Sequence, residues 1–361
     1  MYMILGRFFK RCLRFTLRQT GCFKFAHLYS VHKLGRRLRR KKRAPFVFLF
    51  GSPYHPNLGD QAQTECIVEW IKKHLPHHEI SVCTLINSSN AWIVMIRQYI
   101  RPQDVLLCHS GYHMTDLYDE QSVYLKLART FPDFPLTILP QTINYEHEEN
   151  AHATAAILNA HPDCTLFCRD EQSYQTAKSL FYRCRLFLYP DIVTSMIGNL
   201  PLPPQKREGI LFCMRNDKEA FYSPSEILHL MGILQTHTTT ERTDTTVDLP
   251  VRYIVSHRKK VLLDTFKYFS RFKVVVTDRY HGTIFSLIAG TPVIVLNSKD
   301  HKLSSGVKWF PDSFHPYVRF AASLDQVPTL ANEMMARKEE RPLPPYFSET
   351  YFDHLLEKLH V

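Results

Sequence analysis

A single stretch, Phe272 to Leu303, constrains this chain more than any other: FKVVVTDRYHGTIFSLIAGTPVIVLNSKDHKL. Lys273 to Thr277 is a β-branched run of strand length, and His281 to Ala289 has the apolar spacing of a buried helix that stops at Gly290. A second strand, Pro292 to Leu296, follows at once. Two strands joined through a helix form a βαβ unit, so the strands run parallel. The turn Asp278-Arg279-Tyr280 then lies at the carboxyl edge of a sheet, where open α/β folds bind their ligands.

That turn places a guanidinium, Arg279, and an imidazole, His281, at a helix N-terminus whose free N–H groups favour anions, so a phosphate or carboxylate is the expected guest. The alternative is structural: Arg279 pairs with Asp278 or another carboxylate, and His281 caps the helix.

A chain of 361 residues exceeds what one hydrophobic core usually holds, which predicts two domains. Nine cysteines without a CxxC pair read as reduced core residues of a cytosolic protein, and no metal-ligand spacing is present. Of the net charge of +11, +14 lies in residues 1–43, which contain no Asp or Glu, so the remainder is −3. A basic body is thereby excluded, and with it a nucleic-acid-binding face. Within the tail, Leu5, Phe8, Phe9, Cys12, Leu13 and Leu17 recur at helical spacing opposite Arg7, Arg11, Arg14 and Arg18. This pattern predicts a basic amphipathic segment on an anionic membrane surface, with the protein cytoplasmic and peripheral on the inner face of the plasma membrane. The competing reading packs the apolar stripe on the folded body and leaves Arg36 to Arg43 as a solvated linker.

From Pro45 onward, strand and helix alternate. Pro45 to Gly51 is a buried strand leading through SPYHPNLGDQ into a helix over Gln61 to Leu75, which puts Asn57, Gly59 and Asp60 at the same kind of edge. Gly59 admits a close approach to backbone there, and Asp60 either caps the helix or accepts a proton. Further strands at Ile80 to Leu85, Asp104 to Cys108, Leu136 to Leu139, Thr165 to Cys168 and Arg185 to Tyr189 end in polar residues that include Gln141, Arg169 and Asp191. Residues 44–197 form a first domain, 198–208 a linker, 209–345 a second domain and 346–361 a C-terminal helix. Thr236 to Asp248 is Thr-rich and polar and reads as a loop. The resulting fold class is α/β, with two doubly wound Rossmann-like domains facing across a cleft in the GT-B manner.

Pro56-Asn57-Leu58-Gly59-Asp60, LPQTI at 139–143, RDEQSY at 169–174, YPDI at 189–192, RNDKE at 215–219 and TDRYHGTIFSLIAGTPVIVLNSKDHK at 277–302 together resemble the polysaccharide pyruvyl transferase family. The resemblance spans about residues 46–302. It implies transfer of the enolpyruvyl unit of phosphoenolpyruvate to hydroxyls of a saccharide acceptor, lipid-linked in keeping with the basic tail, without cofactor or metal. It assigns Arg279 and His281 to donor binding and catalysis, with Arg215 and Lys302 on the donor side. Asp60 becomes the candidate base, and Asn57, Gly59, Gln141 and Arg169 line the acceptor side. The chain departs from the family pattern at His109 to His113 and at Tyr280, where Leu is frequent, which points to an unusual acceptor pocket. Two other functions fit the same residues: a GT-B nucleotide-sugar glycosyltransferase whose Arg279 and His281 turn grips a diphosphate, and a membrane-surface module with an inactive cleft.

Overall fold

Phe46, Phe48 and Phe50 of the first strand point into one apolar cluster, and Val47 and Leu49 into another. This two-residue alternation, with both faces apolar, is what a parallel strand covered on both sides requires. The computed structural model describes residues 30–84, 90–217, 220–298, 306–337 and 342–359. Within them, β1 (Phe46–Ser52), β2 (Glu79–Thr84), β3 (Val105–Cys108), β4 (Gly111–Thr115), β5 (Leu136–Asn144), β6 (Cys164–Cys168) and β7 (Arg185–Leu188) build one sheet. Its order is β2-β1-β3-β5-β6-β7, with β4 paired to β5. A second sheet of order β12-β11-β10-β8-β9 comprises β8 (Ile210–Cys213), β9 (Thr240–Thr243), β10 (Val274–Thr277), β11 (Val293–Val295) and β12 (Val318–Phe320). All the ladders are parallel.

Five layers result. Helices α1 (residues 30–38), α3 (Asn90–Tyr99), α4 (Gln121–Thr130), α5 (Glu148–Ala160) and α6 (Glu171–Leu180) cover the outer face of the first sheet. Its inner face meets α2 (Leu58–His74), which shares one apolar cluster with α9 (Arg258–Phe269) and α10 (Tyr280–Ile288), the latter two following the short α8 (Val251–Ser256). That cluster also takes Leu211, Cys213, Val275, Val293 and Val295 from the second sheet, so one core is common to both sheets. The other face of the second sheet is covered by α7 (Pro224–Gln235) and α11 (Val327–Met335). The chain then returns through α12 (Tyr346–Thr350) and a 3₁₀ helix at Phe352–Lys358 to the first unit, where Trp70 Nε1 donates to the Phe352 carbonyl at 2.7 Å.

Both sheets reverse their strand order once. In the first the chain steps from β1 to β2 and then to β3 on the other side of β1; in the second it steps from β8 to β9 and then to β10 on the other side of β8. Such switch points leave a crevice between diverging loops. The loops after β1, β8 and β10 are therefore the ones that the topology holds open.

Three departures from the sequence reading have physical causes. The stretch 236–248 is not all loop, because its β-branched threonines form β9, an edge strand with polar residues on both sides. β5 runs through Pro140 to Asn144 rather than ending at Leu139, since a register shift between Ile138 and Gln141 accommodates the residue that cannot donate. The basic segment is part of the fold from residue 30: Leu34 and Leu38 enter the outer core, Arg37 pairs with Glu79 at 2.6 Å, and Arg43 holds Asp104 with two bonds of 2.6 and 2.7 Å. Arg37 and Arg43 thereby depart from the solvated linker expected for Arg36 to Arg43, because carboxylates of the folded body hold them, while residues 1–29, which carry the apolar stripe, lie outside the described residues.

The Arg43–Asp104 pair is almost wholly removed from solvent, with side chains 1% and 0% exposed. Removing one partner of a buried pair leaves an uncompensated charge. Arg43→Ala is expected to cost about 3–5 kcal/mol in urea or guanidinium unfolding.

Candidate active site

Thr277 ends β10 and ties its own turn together: its Oγ1 donates to the Cys213 carbonyl at 2.6 Å and accepts from the Arg279 N–H at 3.0 Å. Gly282 lets the following helix settle on this knot, because a Cβ there would meet Thr277 Oγ1 at 2.3 Å. The Arg215 N–H donates to Asp278 Oδ1 at 2.8 Å, which joins the loops after β8 and β10 at the switch point. Burial pushes the Asp278 carboxyl above its ordinary value, against the pull of that bond and of Arg279 and Arg215.

Arg279 is the N-cap residue of α10 in extended conformation, and it makes no side-chain cap bond; nor does His281 serve as the cap. Its guanidinium is bidentate to Asp244, with Nε to Oδ1 and Nη2 to Oδ2 both at 2.8 Å, and Nη2 also lies 2.9 Å from Asp217 Oδ2. Burial opposes the charge on Arg279, but these carboxylates outweigh it and raise its pKa. The ion pairing of the structural alternative is therefore present, though with Asp244 and Asp217 rather than Asp278. The guanidinium still borders the cleft with a fixed orientation.

His281 stands between the two units. Its Nε2 is 3.4 Å from Asp191 Oδ2, at the end of β7, and its Nδ1 side lies against Gly59 at the start of α2. A Cβ on Gly59 would fall 2.1 Å from that nitrogen. The close approach for which Gly59 is needed is thus that of the His281 ring, not of a ligand. Around it the units are sewn together by the Leu58 N–H to the Thr245 carbonyl at 2.8 Å and Arg258 Nε to Gln61 Oε1 at 2.9 Å. Trp309 Nε1 adds a bond to the Arg169 carbonyl at 2.7 Å.

The cleft enclosed by these edges measures about 310 Å³ and is lined by Asn57, Asp60, Arg169, Arg215, Arg279 and His281 among others. Asn57, rather than Asp60, caps α2, its Oδ1 accepting from the Gly59 N–H at 2.9 Å. Asp60 is thereby left on the first turn facing the cleft, 3.7 Å from His55 Nε2. Arg169 donates from Nε to Thr142 Oγ1 and from Nη1 to Asp191 Oδ2, and its guanidinium lies over the Tyr280 ring at 5.6 Å. Gln141 does not reach the cleft. It is fully buried, donating to the His109 and Leu139 carbonyls and accepting from the His113 N–H, because the strand continues past Pro140 and turns this amide into the sheet. Lys302 lies outside the described residues. No group of three or more metal-ligating side chains occurs among the described residues.

The sequence reading named Asp191 only as one of the polar residues at strand ends and gave no site role to Asp217 or Asp244. Each lies at or just past the carboxyl end of a parallel strand, and that position was the available signal. His113 at the cleft wall and His109 behind it are buried and both sit at about 3, lowered by burial and, for His109, by His113, for His113 by His55 and Arg169. His109 Nε2 contacts Thr64 Oγ1 at 2.8 Å, and His113 Nδ1 contacts the Tyr124 hydroxyl at 2.5 Å.

Comparison with known proteins gives a consistent picture. A family model described as polysaccharide pyruvyl transferase matches residues 57–301. General stress protein 30 of Bacillus subtilis (strain 168) is 30% identical over 259 residues, covering 70% of this chain and 74% of that protein. Pyruvyl transferase 1 of Schizosaccharomyces pombe is 28% identical over 280 residues, covering 72% and 68%. Among solved structures, UDP-GlcNAc 2-epimerase from Neisseria meningitidis bound to UDP-GlcNAc superposes with a TM-score of 0.50 over 87% of this chain and 100% of that one. Its 12% identity concerns the fold alone, which is GT-B.

Gly59→Ala is expected to push the His281 ring aside, which a crystal structure of the variant would show, and to lower stability by about 1–3 kcal/mol through overpacking. His109 and His113 are neutral in the folded protein and ordinary in the unfolded chain, which therefore binds more protons below pH 6.5 or so. Stability is accordingly full above that pH and falls as pH drops toward 3. Between pH 7 and 5.5 the two histidines together should remove on the order of 2 kcal/mol in urea unfolding, and His113→Asn should flatten the slope.

Proposed function

The chain belongs to the polysaccharide pyruvyl transferase family, and we propose that it transfers the enolpyruvyl unit of phosphoenolpyruvate to two hydroxyls of a saccharide, forming a pyruvate ketal in the synthesis of an exopolysaccharide or cell-surface glycan. In this reaction the two hydroxyl oxygens bond to C2 of the donor, and the C2–O bond to phosphate breaks. One hydroxyl proton is balanced by the proton taken up at the methylene carbon, the other by the departing phosphate.

The observation that carries the reading is the convergence of Arg215, Arg279 and His281 at the switch point of the second sheet, facing Asp60 and Arg169 across one cleft. Phosphoenolpyruvate bears a carboxylate and a phosphate, for which guanidinium groups are suited. Arg279 arrives pre-oriented by Asp244, so little rotamer entropy is lost on binding. His281 is the residue proposed to protonate the methylene carbon, and Asp60, released from capping by Asn57, the residue proposed to accept a hydroxyl proton. Tyr280 and Arg169, stacked on each other, border the acceptor side.

A partner follows from the charged segment. Lys33, Arg36, Arg39, Arg40, Lys41 and Lys42 remain exposed on and after α1, next to the basic amphipathic sequence of residues 1–29. These cations support contact with the anionic inner face of a membrane and a lipid-linked acceptor. No helix among the described residues is long and apolar enough to cross a membrane.

Thermal unfolding with phosphoenolpyruvate tests the donor, because a ligand bound to the native state stabilises it by mass action, by about 2.7 kcal/mol at a hundredfold excess over Kd, and so raises the midpoint. The shift is expected in the wild type and lost in Arg279→Ala; stabilisation by nucleotide-sugars alone would indicate glycosyl transfer instead. His281→Ala should keep the shift and slow turnover by about two to four orders of magnitude. Full-length protein should sediment with phosphatidylserine-containing vesicles but not with neutral ones, and substituting Arg39, Arg40, Lys41 and Lys42 by Gln should weaken this binding; equal sedimentation with both vesicles would refute the membrane contact.

A further inference from the structure

The proton donor proposed above comes from the second sheet, but the carboxylate that faces it comes from the first. Building on that reading, we infer that Asp191 is the positioning residue of His281, holding the ring for proton transfer from across the boundary between the two units.

Asp191 is 0% exposed and its two oxygens have different tasks. Oδ1 accepts from the Val193 N–H at 2.9 Å, where Asp191 caps the 3₁₀ helix Ile192–Met196, so the backbone sets the direction of the carboxylate. Oδ2 is then aimed at three groups: Gln63 Nε2 at 2.7 Å, Arg169 Nη1 at 3.1 Å and His281 Nε2 at 3.4 Å. Burial alone would raise this carboxyl, but His281, Arg169 and the Val193 N–H hold it below the usual carboxylate range. An ionised carboxylate therefore faces the imidazole.

A purely structural role for Asp191 would be complete with Arg169, Gln63 and Val193. His281 Nε2 adds nothing to that satisfaction: it is buried, close to the carboxylate, and without an aligned hydrogen bond among the described residues. Among the described residues the buried ring nitrogens in this state belong to His74, His78 and His281, and of these three residues His281 is the one that borders the cleft. Gly59 closes the opposite side of the ring, so the imidazole stands between backbone and carboxylate with little freedom to rotate. In this position Asp191 fixes the orientation of the ring from which the proton is handed over. The same Oδ2 contacts Arg169 on the acceptor side, so one oxygen links the cation of one unit to the imidazole of the other.

The test uses the full chain with Asp191→Asn, Asp191→Glu, His281→Gln and the double variant Asp191→Asn/His281→Gln. Asp191→Asn should lower kcat about a hundredfold with little change in KM for phosphoenolpyruvate, and should add nothing to the loss in His281→Gln, because both act through one ring. Asp191→Glu, which keeps the charge, should recover part of kcat. In protein labelled with ¹⁵N-histidine, the ring resonances missing from the His281→Gln spectrum identify His281, and they should shift in Asp191→Asn. Losses that multiply in the double variant, or a rise in KM with kcat unchanged, would overturn the inference, as would unaltered His281 resonances. If Asp191→Asn fails to fold, the double variant Asp191→Glu/His281→Gln is compared with its two single variants, and losses that multiply there overturn the inference in the same way. A wild type inactive with phosphoenolpyruvate would sink the proposed reaction, whereas the resonances would still decide whether Asp191 positions the ring.

Discussion

The apolar layer shared by the two sheets governs the geometry of everything above it. Val47 and Leu49 from one sheet and Leu211, Val275 and Val293 from the other belong to a single cluster that also takes in α2, α9 and α10. Because all these strands are parallel, burying their inner faces together brings their carboxyl ends to one rim. The 3.4 Å approach of His281 to Asp191 and the contact of the ring with Gly59 are consequences of that burial. A layer of this kind resists rearrangement, since separating the units would expose large buried side chains such as Phe266 and Phe285.

On this rim, electrostatics is organised by prior pairing. Arg279 is engaged by Asp244 and Asp217, Arg169 by Asp191, and the Arg215 backbone by Asp278. Carboxylates placed behind guanidinium groups reduce the net positive charge of the cleft but hold each side chain in position. For a small dianionic or trianionic guest, fixed geometry gains more than a flexible surplus of charge, because the ordering cost has already been met in folding. The neutral, buried His109 and His113 extend the same economy to the wall behind, adding ring nitrogens without adding charge.

The basic segment shows how one composition signal divides into two physical roles. Arg37 and Arg43 are structural, one paired at the surface with Glu79 and the other buried against Asp104. The neighbouring Arg36, Arg39, Arg40, Lys41 and Lys42 are exposed. Nothing in the order RRLRRKKR separates these classes; helix phase and the position of Asp104 at the start of β3 do.

Local pattern was enough for most of the strands, for the helices that follow them, and for the polar residues at strand ends, because period-2 and period-3.6 apolar spacing reflects burial directly. The short β4 and β12 have no counterpart in the sequence reading. The βαβ unit around Arg279 and His281, the first strand after Pro45 and the edge position of Asn57 and Asp60 were all legible in this way. Threonine-rich β9 was not, since its polarity mimics a loop while its β-branching suits an edge strand, and Gln141 was misplaced because the bulge at Pro140 extends β5 beyond its apolar run. Which carboxylates meet which cations is a different order of question. Asp191 lies 90 residues from His281, and Asp244 lies 35 from Arg279, so their pairing depends on strand order and on the shared core rather than on any spacing along the chain. The sequence by itself determined the elements and the chemistry available at their ends. Tertiary structure alone decided who faces whom, because contact between distant residues is set by how the two sheets bury their common faces.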